Sequence, residues 1–196
     1  MKRKIIITFV IILVTLSTAF TYHFTQQADI NYYQGHRLFL KGKYEKAIPF
    51  YAKAIEEGSD GRDTYKELGY CYLWTGKSEK SIQLFEDVAA KKPDDYKIKD
   101  SLAEAYSWNR NYAEAIKIFK EIVIRTNSPG AKEKLAEVYL WNGQPEEAKM
   151  ILESLVIKYP DNYKLQLLWG KALYYTGESE KASRVFEELL KEENEK

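Results

Sequence analysis

From Asp29 to Glu192 apolar residues recur at spacings of three and four, in segments of about thirteen residues divided by short polar turns. That period predicts α-helices, each with one side turned to a core. In the segment after Asn111, for example, Ala115, Ile116, Ile118, Phe119, Ile122 and Val123 are core candidates. Turn formers fall at two kinds of junction. Gly42, Gly76, Gly143 and Gly177 separate the two helices of a pair, and Pro93, Pro129 and Pro160 lie between pairs.

The beginning of the chain has a different pattern. Met1-Lys-Arg-Lys4 is followed by the run IIITFVIILVTLSTAF, Ile5 to Phe20, and no charge appears before Asp29. This run is apolar on all sides, so it does not read as a helix buried along one stripe. Counted to Phe24 it has the length of a helix that crosses a hydrocarbon layer of ~30 Å. Two interpretations fit: an uncleaved signal-anchor, or a signal peptide cut near the small residues Ser17-Thr18-Ala19. Both leave the basic end in the cytoplasm and export the remainder. Residues 25–28 then serve as a short linker, and residues 193–196 as a frayed tail.

Within the helical part the pattern repeats. Gly35, Gly69, Ala103, Ala136 and Gly170 are separated by 34, 34, 33 and 34 residues. Three places after each stand Leu38, Tyr72, Tyr106, Tyr139 and Leu173, and twelve places after each stand Ala47, Ser81, Ala115, Ala148 and Ala182. Four beyond those come Tyr51, Phe85, Phe119, Leu152 and Phe186. The second copy is the fullest, with Tyr65, Leu68, Gly69, Tyr72, Ser81, Phe85 and Pro93 in order.

This arrangement resembles the tetratricopeptide repeat (TPR) family, whose 34-residue unit has the form W-x2-L-G-x2-Y, A-x3-F, P. The resemblance implies an all-α fold: a right-handed superhelical solenoid of five helix pairs behind the N-terminal hydrophobic helix. The copies span about residues 28–61, 62–95, 96–128, 129–162 and 163–192. A lone pair cannot bury both faces, so stacked neighbours would build one continuous core. The pattern is broken at the third turn, where Arg110 stands in place of glycine. Asn109 or Asn111 is therefore expected to take the left-handed conformation there. The column Ile48, Ile82, Ile116 changes to Lys149 and Ser183, and Ser183, Arg184 and Glu187 make the last helix its own polar cap.

Composition narrows the function. The formal net charge is +1, and three basic residues belong to the first four positions. The rest of the chain holds 27 basic against 29 acidic residues without blocks of one sign. No phosphate-binding footprint follows, and nucleic acid is not an expected partner. The single Cys71 excludes an internal disulfide and any multi-cysteine metal site, and its apolar helical setting reads as a buried filler. The two histidines, His23 and His36, lie on either side of the leader boundary. Zinc-protease, phosphate-loop and nucleophile-elbow motifs are absent. Acidic pairs such as Glu56-Glu57, Asp94-Asp95 and Glu146-Glu147 fall at helix ends, where they are solvated and favoured by the helix dipole. Neither catalysis, a metal nor a cofactor is expected.

What remains is a surface. In the TPR family the first helix of each pair lines a concave groove. The resemblance thus directs Tyr32, His36 and Phe39, then Lys66, Tyr70 and Leu73, into it. Asp100, Glu104 and Ser107 follow, then Glu133, Glu137 and Leu140, and last Leu167, Lys171 and Tyr174. The adjoining column is Leu40, Trp74, Trp108, Trp141 and Tyr175. Four aromatics of five are unusual there, and Asp100, Glu104, Glu133 and Glu137 form an acidic cluster at its middle. The rings either seal the seams between repeats or form a recognition ladder, since Trp and Tyr give large contact area at low entropic cost. The expected partner-binding residues are Tyr70, Trp74, Glu104, Trp108, Glu137, Trp141, Lys171 and Tyr175. By resemblance to bacterial envelope TPR proteins, the chain is expected to be a scaffold for a protein or peptide partner in an envelope complex. It is membrane-anchored through residues 5–24 with its repeats on the exported side, or secreted if the leader is cleaved. Alternatives are a glycan-binding helper in polysaccharide synthesis or export, using the aromatic column, and a structural oligomer joined at the ends of the array.

Overall fold

The computed structural model describes the backbone of residues 2–194 and the side chains of residues 10–17 and 26–191. Among the described residues there are ten helices and no strand. They are α1 (Lys2–Leu40), α2 (Tyr44–Glu56), α3 (Arg62–Trp74), α4 (Ser78–Lys91), α5 (Tyr96–Trp108), α6 (Tyr112–Thr126), α7 (Pro129–Trp141), α8 (Pro145–Lys158), α9 (Tyr163–Tyr175) and α10 (Ser179–Asn194). They form two compact units, α1–α4 and α5–α10. In the first, α1 packs on α2 and α3, α2 on α3, and α3 on α4. In the second, every helix packs on the next, and α7 also meets α9.

Local chemistry sets the helix starts. The Asp95 carboxylate accepts from the backbone N–H groups of Lys97 and Ile98, and the Asn162 side chain accepts from that of Leu165. The Ser128 hydroxyl accepts from the N–H of Ala131, with Pro129 in the first turn where its missing N–H is harmless. Each such cap satisfies donors the helix leaves open, worth about 1 kcal/mol.

The repeated small residue is a demand of helix approach. In the first unit the tip of the Phe85 ring of α4 presses against Gly69 of α3, and a Cβ there would sit 2.1 Å from the ring. In the second unit Ala103 and Phe119 hold the same places, as do Ala136 and Leu152, all fully buried or nearly so. Of the core candidates in α6, Ala115, Ile116, Phe119 and Ile122 are buried, and Ile118 and Val123 are partly buried against the same cluster. Burying a ring such as Phe119 stabilises by about 2–3 kcal/mol. One position conflicts with its setting. Ser81 replaces the alanine of its column, is fully buried, and its hydroxyl has no hydrogen-bond partner.

The end of α5 corrects an expectation. Arg110, not Asn109 or Asn111, adopts the left-handed conformation, with φ 61° against −82° and −83° for its neighbours. Two hydrogen bonds fix which residue turns. The N–H of Asn111 donates to the Tyr106 carbonyl at 2.8 Å, and that of Arg110 donates to Ser107 at 3.0 Å. This is the Schellman closure of a helix, which puts positive φ on the residue after the cap whatever its side chain. The same pair of bonds closes α7 at Gly143, from Gln144 to Tyr139 and from Gly143 to Leu140.

Helix α1 runs unbroken through residues 25–28, so the linker expected there is helical. Helix α10 likewise extends to Asn194, into the expected tail, whose last two residues lie outside the described part. Much of the apolar leader, residues 5–9 and 18–24, lies outside the residues whose side chains are described. Within it, Val10, Ile11, Ile12, Leu13, Val14 and Leu16 are all exposed. Among the described residues no helix is long and apolar enough to cross a membrane.

Candidate functional site

The first helices of the pairs, α1, α3, α5, α7 and α9, carry the residues singled out in the sequence. Residues four apart stand one above another on a helix. Stripes therefore form along Asp100, Glu104 and Trp108 on α5, and along Glu133, Glu137 and Trp141 on α7. Leu167, Lys171 and Tyr175 make the stripe of α9, and Lys66, Tyr70 and Trp74 that of α3. Leu73 and Ser107, expected beside them, are buried instead. The same register, four residues after the small residue, is only partly buried at Phe39 and Leu140, so burial there depends on the copy. Tyr174 remains exposed.

In the first unit the stripe is filled with its own rings. Tyr32 stacks on His36 at 5.7 Å between centroids, and His36 on Phe39 at 6.5 Å. Phe39 meets Trp74 at 5.5 Å, and Trp74 stacks on Tyr70 at 5.5 Å. The Lys66 ammonium lies 5.8 Å from the centre of the Tyr70 ring. Beneath this surface Glu67 joins the first two repeats. Its carboxylate accepts from the hydroxyl of the fully buried Tyr51, and His36 Nδ1 lies 2.9 Å from one of its oxygens. A carboxylate only accepts, so this geometry places the histidine proton on Nδ1. Burial first, then the hydrogen bond to Glu67 and its charge, pushes the Tyr51 hydroxyl far above its ordinary range. Tyr32 is raised by burial and by the charges of Glu67 and Asp63.

In the second unit the same positions are charged. The Lys134 ammonium of α7 reaches back to Asp100 and Glu104 of α5, 2.6 Å from each. Lys164 of α9 reaches back to Glu133 at 2.8 Å and Glu137 at 3.2 Å on α7. The acidic cluster expected from the sequence is thus laced with lysines. Burial lowers the affinity of Lys134 for its proton, but the hydrogen bonds and charges of Asp100 and Glu104 outweigh it and the net shift is upward. Lys164 follows the same balance with Glu133 and Glu137. The lysines escaped notice because they occupy different columns, two and six residues before the small residue, where lysine stands in one copy (Lys134) and in two (Lys97 and Lys164) of the five.

The aromatic column is exposed throughout: Trp74 is 42% accessible, Trp108 64%, Trp141 53% and Tyr175 62%. The two less exposed rings have a tyrosine against them. Trp74 meets Tyr44 at 4.5 Å, and Trp141 meets Tyr112 at 6.2 Å. Both tyrosines stand nine residues after the small residue of the preceding copy, a column that reads Tyr44, Ser78, Tyr112, Pro145, Ser179. No ring is available there from the second and fourth copies. Seam contact and exposure therefore coexist at Trp74 and Trp141. The column of second-helix tyrosines is a signal that lay in the sequence unread.

Among the described residues no three His, Cys, Asp or Glu side chains converge to hold a metal. Stacked helix pairs with a shared core and a laddered, ring-bearing face define a helical-repeat protein of the binding kind. The chain belongs to the tetratricopeptide repeat family, whose profile matches residues 38–104 and 109–162. TPR proteins are generally non-catalytic scaffolds that bind protein partners. No curated protein matches the chain. Among solved structures it is similar to MamA (41-end) from Desulfovibrio magneticus RS-1, at 15% identity and TM-score 0.76, covering 87% of this chain and 97% of that one. The TPR-like repeats of a kinesin light chain of Podosopora anserina align at 19% identity and TM-score 0.72, over 85% of this chain and 94% of theirs. A TPR protein from Parabacteroides merdae ATCC 43184 aligns at 18% identity and TM-score 0.75, over 84% of this chain and 64% of its own. At these identities the likeness is one of fold.

Proposed function

We propose that this chain is a non-catalytic scaffold that binds a protein partner on the face of its first helices. It is held at a membrane by residues 5–24 with its repeats on the exported side, within an envelope complex. The observation that carries the binding face is the exposure of large aromatics at one repeat position, Trp108, Trp141 and Tyr175 in the second unit, a position that Trp74 holds in the first. Exposed rings set in a polar surround are characteristic of interaction sites. The charge-free run from Ile5 to Phe24, the basic residues before it, and the exposed side chains from Val10 to Leu16 support the anchor.

A photoreactive residue placed at position 108 or 175 of the full chain in its native membrane tests the face. One placed at the exposed Ile124 of α6 is the control. Capture of the same protein from 108 and 175, but not from 124, is the expected result. Equal capture from 124 would move the binding face elsewhere. For the anchor, the chain should stay in the membrane fraction with residues 5–24 attached. A soluble mature chain beginning near Phe20 would overturn it.

A further inference from the structure

A cleft of about 420 Å³ opens in the first unit where the loop between α2 and α3 faces α1. Asp29, Tyr32 and Tyr33, spaced three and four apart on one side of α1, form one wall. Ser59, Asp63 and Thr64 form the other. The loop wall is fixed from behind. The buried Asn31 side chain donates to Glu57, and the N–H groups of Gly58 and Ser59 donate to the carbonyls of Ile55 and Ala54 at 3.0 and 2.8 Å. The cleft is therefore built before a ligand arrives, as binding clefts usually are.

Its lining leaves polar groups unsatisfied. Thr64 is only 3% exposed, and its hydroxyl oxygen lies 2.8 Å from that of Ser59. That bond uses one of two hydroxyl protons. Among the described residues neither oxygen has another partner, so one donor still needs an acceptor. Asp29 and Asp63 are exposed, and among the described residues neither carboxylate takes part in an ion pair. Asp60 and Arg62 also belong to the lining and have contacts of their own. Three aspartates against one arginine leave the lining with a formal charge of −2. The walls are within electrostatic reach of each other. After burial and the charge of Glu67, the charge of Asp63 is a further cause of the raised Tyr32 hydroxyl.

This lining selects among ligands. The aspartates do not converge as the ligands of a metal ion would. A phosphate or carboxylate is repelled. A guanidinium pairs best with a single carboxylate through its fork. An ammonium is a compact charge with three donors, suited to carboxylates on two walls. Its alkyl stem covers tyrosine rings, and an adjoining peptide carbonyl accepts the remaining hydroxyl proton.

We infer that this cleft seats an ammonium group of a protein partner, a lysine side chain or a chain N-terminus, with its charge between Asp29 and Asp63 and its stem along Tyr32 and Tyr33. The inference rests on the chain being a scaffold for a protein, but not on the aromatic column.

The test titrates the full chain in detergent micelles with blocked peptides Gly-Gly-X-Gly-Gly, where X is lysine, norleucine or glutamate. Unblocked pentaglycine supplies the N-terminal amine. Binding is read from the NMR shifts of the amides of residues 58–64. The lysine peptide or pentaglycine should shift them saturably and less so in added salt, and the tighter of the two names the source of the ammonium. The norleucine and glutamate peptides should leave them in place. Asp29→Asn and Asp63→Asn should each weaken binding about fivefold, with unchanged helical content by circular dichroism. Asp87→Asn, on α4, should not change it. Norleucine binding as well as lysine would overturn the inference, as would a folded Asp63→Asn chain that binds normally. So would calcium chloride producing the same shifts at lower concentration than the peptides. The same shifts from phosphatidylethanolamine added to the micelles, without any from the peptides, would give the cleft to a lipid and overturn the protein assignment. If the peptides bind but nothing is captured from position 108 or 175, the cleft stands and the aromatic face falls. If a protein is captured there and no peptide binds, the reverse holds.

Discussion

The two units carry the same repeat on the same scaffold, yet their first-helix faces are closed in opposite ways. In the unit of α1–α4, the ring chain Tyr32, His36, Phe39, Trp74 and Tyr70 covers the surface, and one carboxylate, Glu67, is drawn beneath it by Tyr51 and His36. In the unit of α5–α10, lysines bridge pairs of carboxylates and the rings stand outside. A repeat fold fixes which positions meet across a seam but leaves their chemistry open. Aromatic closure removes water and makes its polar contacts costly to break. Ionic closure leaves them hydrated and weak in salt, with surface to spare for another molecule.

Breaking the buried contact should give the largest effect. Glu67→Leu keeps the bulk but leaves the Tyr51 hydroxyl without its acceptor, at a cost of about 2–3 kcal/mol. The loss should shrink when Tyr51→Phe is added, because the orphaned donor is then gone. In the other unit Lys134→Met should cost only about 0.5–1 kcal/mol, a value set by partial exposure. Denaturant midpoints at low and high salt distinguish the two. Salt should erase the Lys134 effect and spare that of Glu67. Equal salt sensitivity would abolish the contrast.

The rings give the next comparison. Trp74→Ala should destabilise by about 2 kcal/mol, since Tyr44 and Phe39 lose a packed neighbour. Trp108→Ala should cost about 1 kcal/mol, as for a ring left mostly in water. Amide hydrogen exchange across α2–α3 and across α5–α6 localises each loss. If Trp108→Ala proves the costlier, its ring is structural and not a site.

Two substitutions should stabilise the chain. Ser81→Ala removes a buried hydroxyl without a partner and restores the residue of its column, a gain of about 1 kcal/mol by thermal or denaturant unfolding. Arg110→Gly relieves a left-handed residue that carries a Cβ, a gain of about 0.5–1 kcal/mol after the added chain entropy of glycine is counted. A loss at either position would show that its side chain makes a contact worth more than the strain or desolvation relieved.

What was legible in the sequence follows the same physics. The column from Gly35 to Gly170 could be read because close helix approach admits only small residues there, and the ring column four beyond Ala47 because it fills the space they leave. Arg110 stands in the column of the turn glycines, but its Cβ pointed the expectation to the neighbouring asparagines, which tolerate the left-handed conformation better. The hydrogen-bond register decides which one turns. Aligning repeats also concealed Lys134 and Lys164, because lysine is a minority residue in both of their columns. Leu73 and Ser107 were placed on the face by counting three from Tyr70 and Glu104. Their register is exposed at Tyr174 and partly buried at Leu140, so a column count could not show which copies bury it.

Cys71 shows where the closed face of the first unit matters outside folding. It is fully buried, and burial followed by the charge of Glu67 pushes its thiol up to about 12, so the thiolate that forms disulfides is scarce at neutral pH. A chain with one cysteine has no internal partner, and in an oxidising compartment an uncovered thiol would join two molecules. The seam held by Tyr51, Glu67 and His36 therefore guards the chain's covalent singleness as well as its fold. Disulfide-linked pairs should gather only from molecules whose first two repeats have come apart, and their number would keep a lasting tally of those openings.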